Sequence, residues 1–222
     1  MCVHYARLAL MCGLDGVWVG EHLHSPITQD WLAPLSFSLP QVHIGTAIVS
    51  IYMHSADELY ALAKKLSAHP AGFSLGMGVG DLSLLSKMDI VPAEPVGRME
   101  HCLKRVAPLR GEGVEVLVGS GSKAMLERTS CQADGVILTG SVEQAQERAG
   151  LVKGRKVFWS SLWLDSAVSE MGRSTKGEQV EPAELAVLLS RAGIDEIIVG
   201  PPCGSRPEEV MSMLARTLRD AP

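Results

Sequence analysis

Short apolar runs alternate with amphipathic stretches along the whole chain, and this alternation predicts strands joined by helices. Several runs, such as VWV, VLV and IIV, are apolar on both faces, which is typical of parallel strands covered on both sides. The pattern favours a parallel sheet with helical crossovers over an antiparallel meander. The predicted strands are Gly16–His22, Val42–Val49, Gly72–Met77, Val114–Gly119, Asp134–Thr139, Lys156–Leu164 and Asp195–Gly200.

Helix-start signals lie between these strands. Capping boxes are predicted where a serine precedes a Glu or Gln by three positions, because each of the two side chains can bond the other residue's backbone N–H. The three boxes are Ser55–Glu58, Ser141–Gln144 and Ser205–Glu208. Apolar residues that recur with helical spacing predict stripes facing the core. These are Leu59, Leu62, Ala63 and Leu66 in one helix, and Val210, Leu214 and Leu218 in another.

Seven strand-and-helix units predict a (β/α) barrel, and an open doubly wound sheet is the alternative. The first unit is incomplete, because the amphipathic segment His4–Cys12 leads through Gly13 directly into the strand at Gly16, and no strand precedes it. We therefore expect one barrel domain over residues 1–222 that is truncated at its N-terminus and lacks the first strand. A gap or a tightened seam should separate the strand at Asp195 from the strand at Gly16.

Composition narrows the classes of function. With 222 residues, 46% of them hydrophobic, the chain can bury a sizeable core in one domain. A net charge of -5 without long runs of like charge disfavours nucleic-acid binding. No apolar stretch approaches the ~18 residues of a membrane span, and the N-terminus lacks a signal-peptide pattern, so we expect a cytoplasmic protein. Five cysteines without C-x-x-C spacing predict neither a disulfide framework nor a cysteine zinc site.

The first candidate for chemistry is the pair Glu21 and His22, since functional residues of such barrels lie at the carboxyl ends of the strands. A carboxylate beside an imidazole suits proton transfer near neutral pH. One alternative is an ordinary solvated strand end. Another is a zinc pair formed by His22 and His24, but the later strand ends lack the further His and Asp ligands that zinc needs. We therefore predict no metal site.

A glycine-rich segment follows the third predicted strand. Gly76, Gly78 and Gly80 alternate with other residues, including Val79, and would let a flat ligand or a phosphate approach the backbone closely. The G-x-G-x-G spacing differs from that of a dinucleotide-binding fingerprint. A turn in which the glycines are needed only for steric reasons, without any ligand, would have the same pattern, so both interpretations stay open.

An anion site is predicted where the fourth strand runs into a helix. The residues at this junction are Gly119, Ser120, Gly121, Ser122 and Lys123. Free N–H groups, two hydroxyls and the positive end of a helix dipole converge there, with a lysine beside them. The alternative is simple N-capping of the helix by Ser122. The next strand also enters a helix, through Gly140 and Ser141, so two adjacent loops can share one phosphate.

Taken together, these segments resemble the bacterial-luciferase-like flavin and deazaflavin oxidoreductases, and within them the methylenetetrahydromethanopterin reductase branch. The resembling segments are GLDGVWVGEHL, VHIGTAIVSIY, LSAHPAGFSLGMGVGD, PVGRMEHCLKRVAPLRGE, VLVGSGSKAMLERTSCQADGVILTGS and RAGIDEIIVGPP. They cover most of residues 13–202 in the order that the family has. No single motif is decisive, and the resemblance depends on the series.

The resemblance implies an eight-stranded barrel that binds the deazaflavin coenzyme F420 or FMN. It implies hydride transfer between C5 of the deazaflavin, or N5 of the flavin, and a small organic substrate, in a protein that forms a homodimer. The family's proton-handling pair falls on Glu21 and His22. The resemblance implies three groups of coenzyme-binding positions. Ala47, Ile48 and Val49 would form a non-proline cis peptide bulge behind the ring, and Gly78, Val79 and Gly80 would lie beside the ring and ribityl chain. The positions implied around the phosphate are Gly119, Ser120, Gly121, Ser122, Gly140 and Ser141, with Lys123 beside them.

The chain departs from the family pattern in three places. It lacks the first strand, it has a short connection at Glu112–Val114, and the segment Ser141–Lys156 is trimmed. A reduced barrel keeps two alternatives open: a (deaza)flavin-binding relative without turnover, and a metal-dependent hydrolase on the same barrel. Neither the substrate nor the choice between F420 and FMN follows from the sequence.

Overall fold

Parallel strands form one sheet in the computed structural model, which describes residues 2–11, 13–21, 29–161, 187 and 190–200. The strands of the described residues are β1 (Gly16–Val19), β2 (His43–Thr46), β3 (Val49–Ser50), β4 (Phe73–Gly78), β5 (Val114–Ser120), β6 (Gly135–Leu138), β7 (Arg155–Ser161) and β8 (Glu196–Gly200). The helices are α1 (Cys2–Met11), α2 (Gln29–Ser38), α3 (Ala56–Leu66), α4 (Leu82–Lys87), α5 (Pro95–Val106), α6 (Lys123–Thr129) and α7 (Val142–Ala149).

The sheet curls into a nearly closed barrel with seven strands in its wall. Their spatial order is β1-β2-β4-β5-β6-β7-β8, and the two-residue strand β3 pairs with β4 beyond the end of β2. Because the spatial order follows the chain order, the barrel prediction is confirmed and the doubly wound alternative is wrong. The two ends of this path are β1 and β8, so the seam lies where the sequence predicts it.

The predicted helix signals are confirmed wherever they lie in the described residues. Ser55 and Ser141 form complete capping boxes with Glu58 and Gln144 at the starts of α3 and α7. The apolar stripe of α3 is buried along its whole length. The third capping box, at residues 205–208, and the stripe at residues 210–218 lie outside the described residues. None of the described helices has the length and apolarity that a membrane span requires.

The core has a layer outside the sheet and a smaller cluster inside the barrel. Outward-facing strand residues such as Leu75, Met77 and Val118 pack against the helices and are fully buried. Alternate residues point inward, as strand geometry requires. The inner cluster consists of Leu117, Ile137, Val157 and Ile198, one from each of four consecutive wall strands.

Charged side chains line the barrel interior at the amino ends of the strands, and they bridge the seam. Arg155 at the start of β7 pairs with Glu115 on β5 and with Glu196 on β8. Glu196 Oε1 in turn accepts a hydrogen bond from Trp18 Nε1 on β1, at 2.9 Å. We name Trp18, Glu115, Arg155 and Glu196 the seam network. It links the two edge strands through side chains where the described strands have no backbone pairing.

Candidate active site at the carboxyl ends of the strands

A bulge between β2 and β3 carries Ile48 into the mouth of the barrel. The peptide bond between Ala47 and Ile48 is cis, as the resemblance implies. Ile48 lies against two of the predicted glycines: a Cβ on Gly119 would lie 2.4 Å from Ile48 Cγ2, and one on Gly78 would lie 3.0 Å from Ile48 Cγ1. Gly78 and Gly119 therefore have a steric task, which is to make room for the Ile48 side chain.

The mouth of the barrel has an apolar floor. The inner cluster is covered on this side by Ala47, Ile48 and Trp159, which are partly buried and pack against it. Trp159 lies near the carboxyl end of β7, on the same inward-facing side as Arg155 and Val157. A partly exposed surface made of one indole and two aliphatic side chains suits contact with the face of a flat ring.

Glu21 holds the bulge in place through hydrogen bonds. Its side chain is buried, at 3% exposure, just past the end of β1. One carboxylate oxygen accepts the backbone N–H of Ser50 at 2.8 Å, and the Glu21 N–H donates to Ile48 O at 3.1 Å. The other oxygen lies 2.6 Å from His54 Nε2. These contacts of Glu21 tie the end of β1 to the segment that carries Ile48.

His54 is the partner of Glu21 that sequence reasoning missed. It lies 33 positions from Glu21, directly before the α3 capping box, and no local pattern singles it out. The predicted partner, His22, and its neighbour His24 lie outside the described residues, so the proton-handling role of His22 stays a prediction. The hydrogen bond that His54 donates to the Glu21 carboxylate raises the pKa of His54 above its ordinary value of 6.5, against the opposing effect of burial.

This shift predicts a loss of stability at mildly alkaline pH. Because the His54 pKa is raised in the folded state, protonation stabilises the fold fully below pH 6.5, and the contribution disappears as the pH rises through the folded-state pKa. We expect the free energy of unfolding, measured in urea from pH 5.5 to 9, to fall over the range above 6.5. His54→Gln should flatten this fall, and an unchanged slope in the variant would assign the effect to other groups.

The glycine-rich segment after β4 is held against the bulge by Ser50. Ser50 Oγ donates to Val79 O at 2.6 Å. Gly80 has φ +99°, and a Cβ there would lie 2.8 Å from Ser50 Cβ, so glycine is required. Val49, also predicted to bind coenzyme, is fully buried in the outer core layer, which leaves only its backbone near the mouth. The structure thus brings the predicted ring-side residues together with Glu21.

The hydroxyls of the predicted phosphate loops serve as helix caps. Ser122 accepts the Met125 N–H at the start of α6, and its own N–H donates to Ser120 Oγ at 2.9 Å. The Ser122 cap that the sequence offered as an alternative is therefore present. Ser141 accepts the Gln144 N–H at 3.3 Å and caps α7.

Lys123, the predicted cation of these loops, forms an exposed ion pair with Glu147 on α7. The loops themselves lie side by side. A Cβ on Gly121 would lie 3.2 Å from Thr139 Oγ1, in the residue that precedes Gly140. The structure therefore brings the two predicted loops together, but it directs Lys123 to a carboxylate.

The chain is similar to known proteins in sequence and in fold. No protein-family model matches the chain. In sequence it is similar to the 5,10-methylenetetrahydromethanopterin reductase of Methanolobus tindarius, with 23% identity over 161 residues, which cover 62% of this chain and 49% of the relative. The chain thus spans about half the length of that relative.

In structure it is similar to the coenzyme F420-dependent tetrahydromethanopterin reductase of Methanopyrus kandleri, with a TM-score of 0.80, 11% identity and coverage of 100% of this chain and 95% of the other.

The resemblance to the luciferase-like oxidoreductases is confirmed as a similarity in sequence to one reductase and in fold to another. A second solved structure of similar fold extends the comparison to flavin chemistry. It is the oxygenating constituent of 3,6-diketocamphane monooxygenase from Pseudomonas putida, solved in complex with FMN. Its TM-score is 0.68 at 10% identity, over 97% of this chain and 92% of the other. Solved proteins of similar fold therefore include one that depends on F420 and one that binds FMN.

The described residues of the chain fit such a coenzyme in two respects. The apolar floor offers a surface for the ring, and the loops at Gly121 and Gly140 lie side by side against the same arginine, Arg148. Beside these loops, Arg148 Nε is buried and has no hydrogen-bond partner within the described part of the chain. A coenzyme phosphate would supply the oxygen atoms that this arginine lacks.

Proposed function

We propose that the chain binds F420 or FMN at the carboxyl ends of its strands and transfers a hydride between the coenzyme and a small organic substrate. The observation that carries this proposal is the apolar floor of Ala47, Ile48 and Trp159, open at the mouth of the barrel and adjoining two glycine loops. The sequence similarity to a methylenetetrahydromethanopterin reductase supports it and makes that reductase's pterin the first substrate to test. The protein would act as a homodimer in the cytoplasm.

The coenzyme, when bound, supplies the hydride chemistry at its ring. The chain's own residues would orient the ring and exclude water from one face, since Ile48 and Trp159 cover the interior below it. Glu21 would hold the bulge in place through the Ser50 N–H and the Ile48 carbonyl. His22, the next residue after Glu21, would handle the proton that accompanies hydride transfer. Gly78, Val79 and Gly80 would lie beside the ring, and the loops at Gly119–Ser122 and Gly140 near the phosphate.

Coenzyme binding tests this proposal without knowledge of the substrate. We expect F420 or FMN to bind with 1:1 stoichiometry and to raise the melting temperature, because a ligand that binds only the folded state stabilises it. Binding would be followed by coenzyme fluorescence, with NAD as a control that shares the phosphate but not the ring. Failure of both F420 and FMN to bind at high micromolar concentration would contradict the proposal.

The same experiment separates the alternatives. A (deaza)flavin-binding relative without turnover would bind the coenzyme but would not oxidise or reduce it with any pterin or small carbonyl substrate tested. A metal-dependent hydrolase would lose activity when the metal is chelated and would bind neither coenzyme. Persistence of coenzyme-dependent turnover in EDTA would favour the oxidoreductase.

A further inference from the structure

Arg148, in the last turn of α7, lies between the two glycine loops at the mouth of the barrel. Its Nη1 donates to Thr139 O at 2.5 Å. A Cβ on Gly140 would lie 3.0 Å from Nη1, and a Cβ on Gly121 would lie 3.5 Å from it. The guanidinium is therefore the cationic group that the fold places against both loops at once.

One buried N–H group of Arg148 lacks an acceptor among the described residues. Its Nε is buried and has no partner among the residues that the structure describes. Other partly buried arginines behave differently: Arg110 pairs with Asp134, and Arg155 pairs with two glutamates. The carboxylate next to Arg148 in sequence, Glu147, pairs with Lys123. A buried guanidinium N–H without an acceptor is rare in folded proteins and indicates a missing partner.

We propose that Arg148 binds the phosphate group of the ligand that occupies these loops, and that Lys123 does not. The planar guanidinium can present two parallel N–H groups to phosphate oxygens, and its Nη1 lies against both glycine loops. This inference rests on the proposed function for the identity of the ligand, a phosphorylated flavin or deazaflavin. The bond to Thr139 O also allows a purely structural role, in which Arg148 only clamps the loop.

Paired ligands with and without phosphate distinguish the two roles. The probes are FMN against riboflavin, and F420 against the same deazaflavin riboside without phosphate, titrated into the wild-type protein and the Arg148→Ala, Lys123→Ala and Arg128→Ala variants. Arg128 is a matched control, because it is an exposed arginine of α6 that pairs with Glu100. A direct contact predicts that Arg148→Ala weakens the phosphorylated ligand by about tenfold to a hundredfold and leaves the unphosphorylated one unchanged. Lys123→Ala and Arg128→Ala should leave the ratio of the two affinities close to the wild-type value.

Each contrary result overturns a defined part of the proposal. If Arg148→Ala weakens both ligands equally, Arg148 only holds the loop in place. If Arg148→Ala leaves both affinities at their wild-type values, Arg148 makes no contact with the phosphate. If Lys123→Ala weakens only the phosphorylated ligand, the lysine contacts the phosphate instead. Gly121→Val is a second variant, since its side chain would crowd Arg148, and it should also weaken only the phosphorylated ligand if the loop folds normally.

Inorganic phosphate separates this inference from the proposed function. If neither coenzyme binds but phosphate raises the melting temperature in an Arg148-dependent manner, the proposed function fails and the anion site stands. If a coenzyme binds and the affinity ratio is insensitive to Arg148, the proposed function stands and the anion site is wrong. If neither the coenzymes nor phosphate bind, both are wrong.

Discussion

Replacing His22 with alanine is expected to lower turnover by about 100- to 10,000-fold with little change in coenzyme affinity, because a positioned acid–base group contributes that much to a rate. His22 directly follows Glu21 in the sequence, and the Glu21 carboxylate accepts the Ser50 N–H. An imidazole titrates near neutral pH, which suits proton exchange during hydride transfer. The measurement is steady-state turnover together with coenzyme affinity from fluorescence.

Two histidines serve as controls for this prediction. His24→Ala should matter less, because His24 lies two residues further along the chain. His54→Ala tests the rival that the structure supplies, since His54 and not His22 is the imidazole in contact with Glu21 in the described residues. Equal activity in the His22 and His24 variants, or a loss confined to His54→Ala, would remove His22 from the proton-handling role.

Replacing Arg155 with alanine is expected to reduce the free energy of unfolding by about 2–3 kcal/mol, between the values for exposed and buried ion pairs. The substitution leaves the Glu115 and Glu196 carboxylates inside the barrel without their shared cation. It also releases the support for Glu196, which accepts the Trp18 N–H across the seam. Urea unfolding at neutral pH measures the change.

Two variants bracket the Arg155 prediction. Trp18→Phe removes only the hydrogen bond across the seam and should cost about 1 kcal/mol. Arg128→Ala breaks an exposed ion pair and should cost between 0 and about 1 kcal/mol. If Arg155→Ala is as mild as Arg128→Ala, the seam network does not stabilise the nearly closed barrel.

The wall of the barrel follows from local sequence patterns. Runs such as Val114–Ser120 and Glu196–Gly200 are short and apolar, and helix signals between them fix the parallel order. The order of the strands places β1 and β8 at the two ends of the sheet, but local patterns do not reveal what bridges the seam between them. Trp18 and Glu196 are 178 positions apart, so their hydrogen bond depends on closure of the whole barrel.

The candidate site is predictable only in part, for the same reason. Glycines and the bulge stand next to strand ends, where position in the sequence already indicates the mouth of the barrel. The partners of charged groups cannot be predicted from position in the sequence in this way. Lys123 is adjacent to the predicted phosphate loop but pairs with Glu147, whereas Arg148, in the last turn of a helix, returns to that loop in space. An arginine at this position has the sequence signature of a solvated helix end.

The location of the bound coenzyme tests the central claim most directly. A crystal structure of the protein with F420 or FMN should show the ring against Ala47, Ile48 and Trp159, at the carboxyl ends of the strands. The phosphate should lie between the loops at Gly121 and Gly140. A coenzyme bound at the amino ends of the strands, or a mouth that stays empty at saturating coenzyme, would contradict the proposal that this barrel is a (deaza)flavin oxidoreductase.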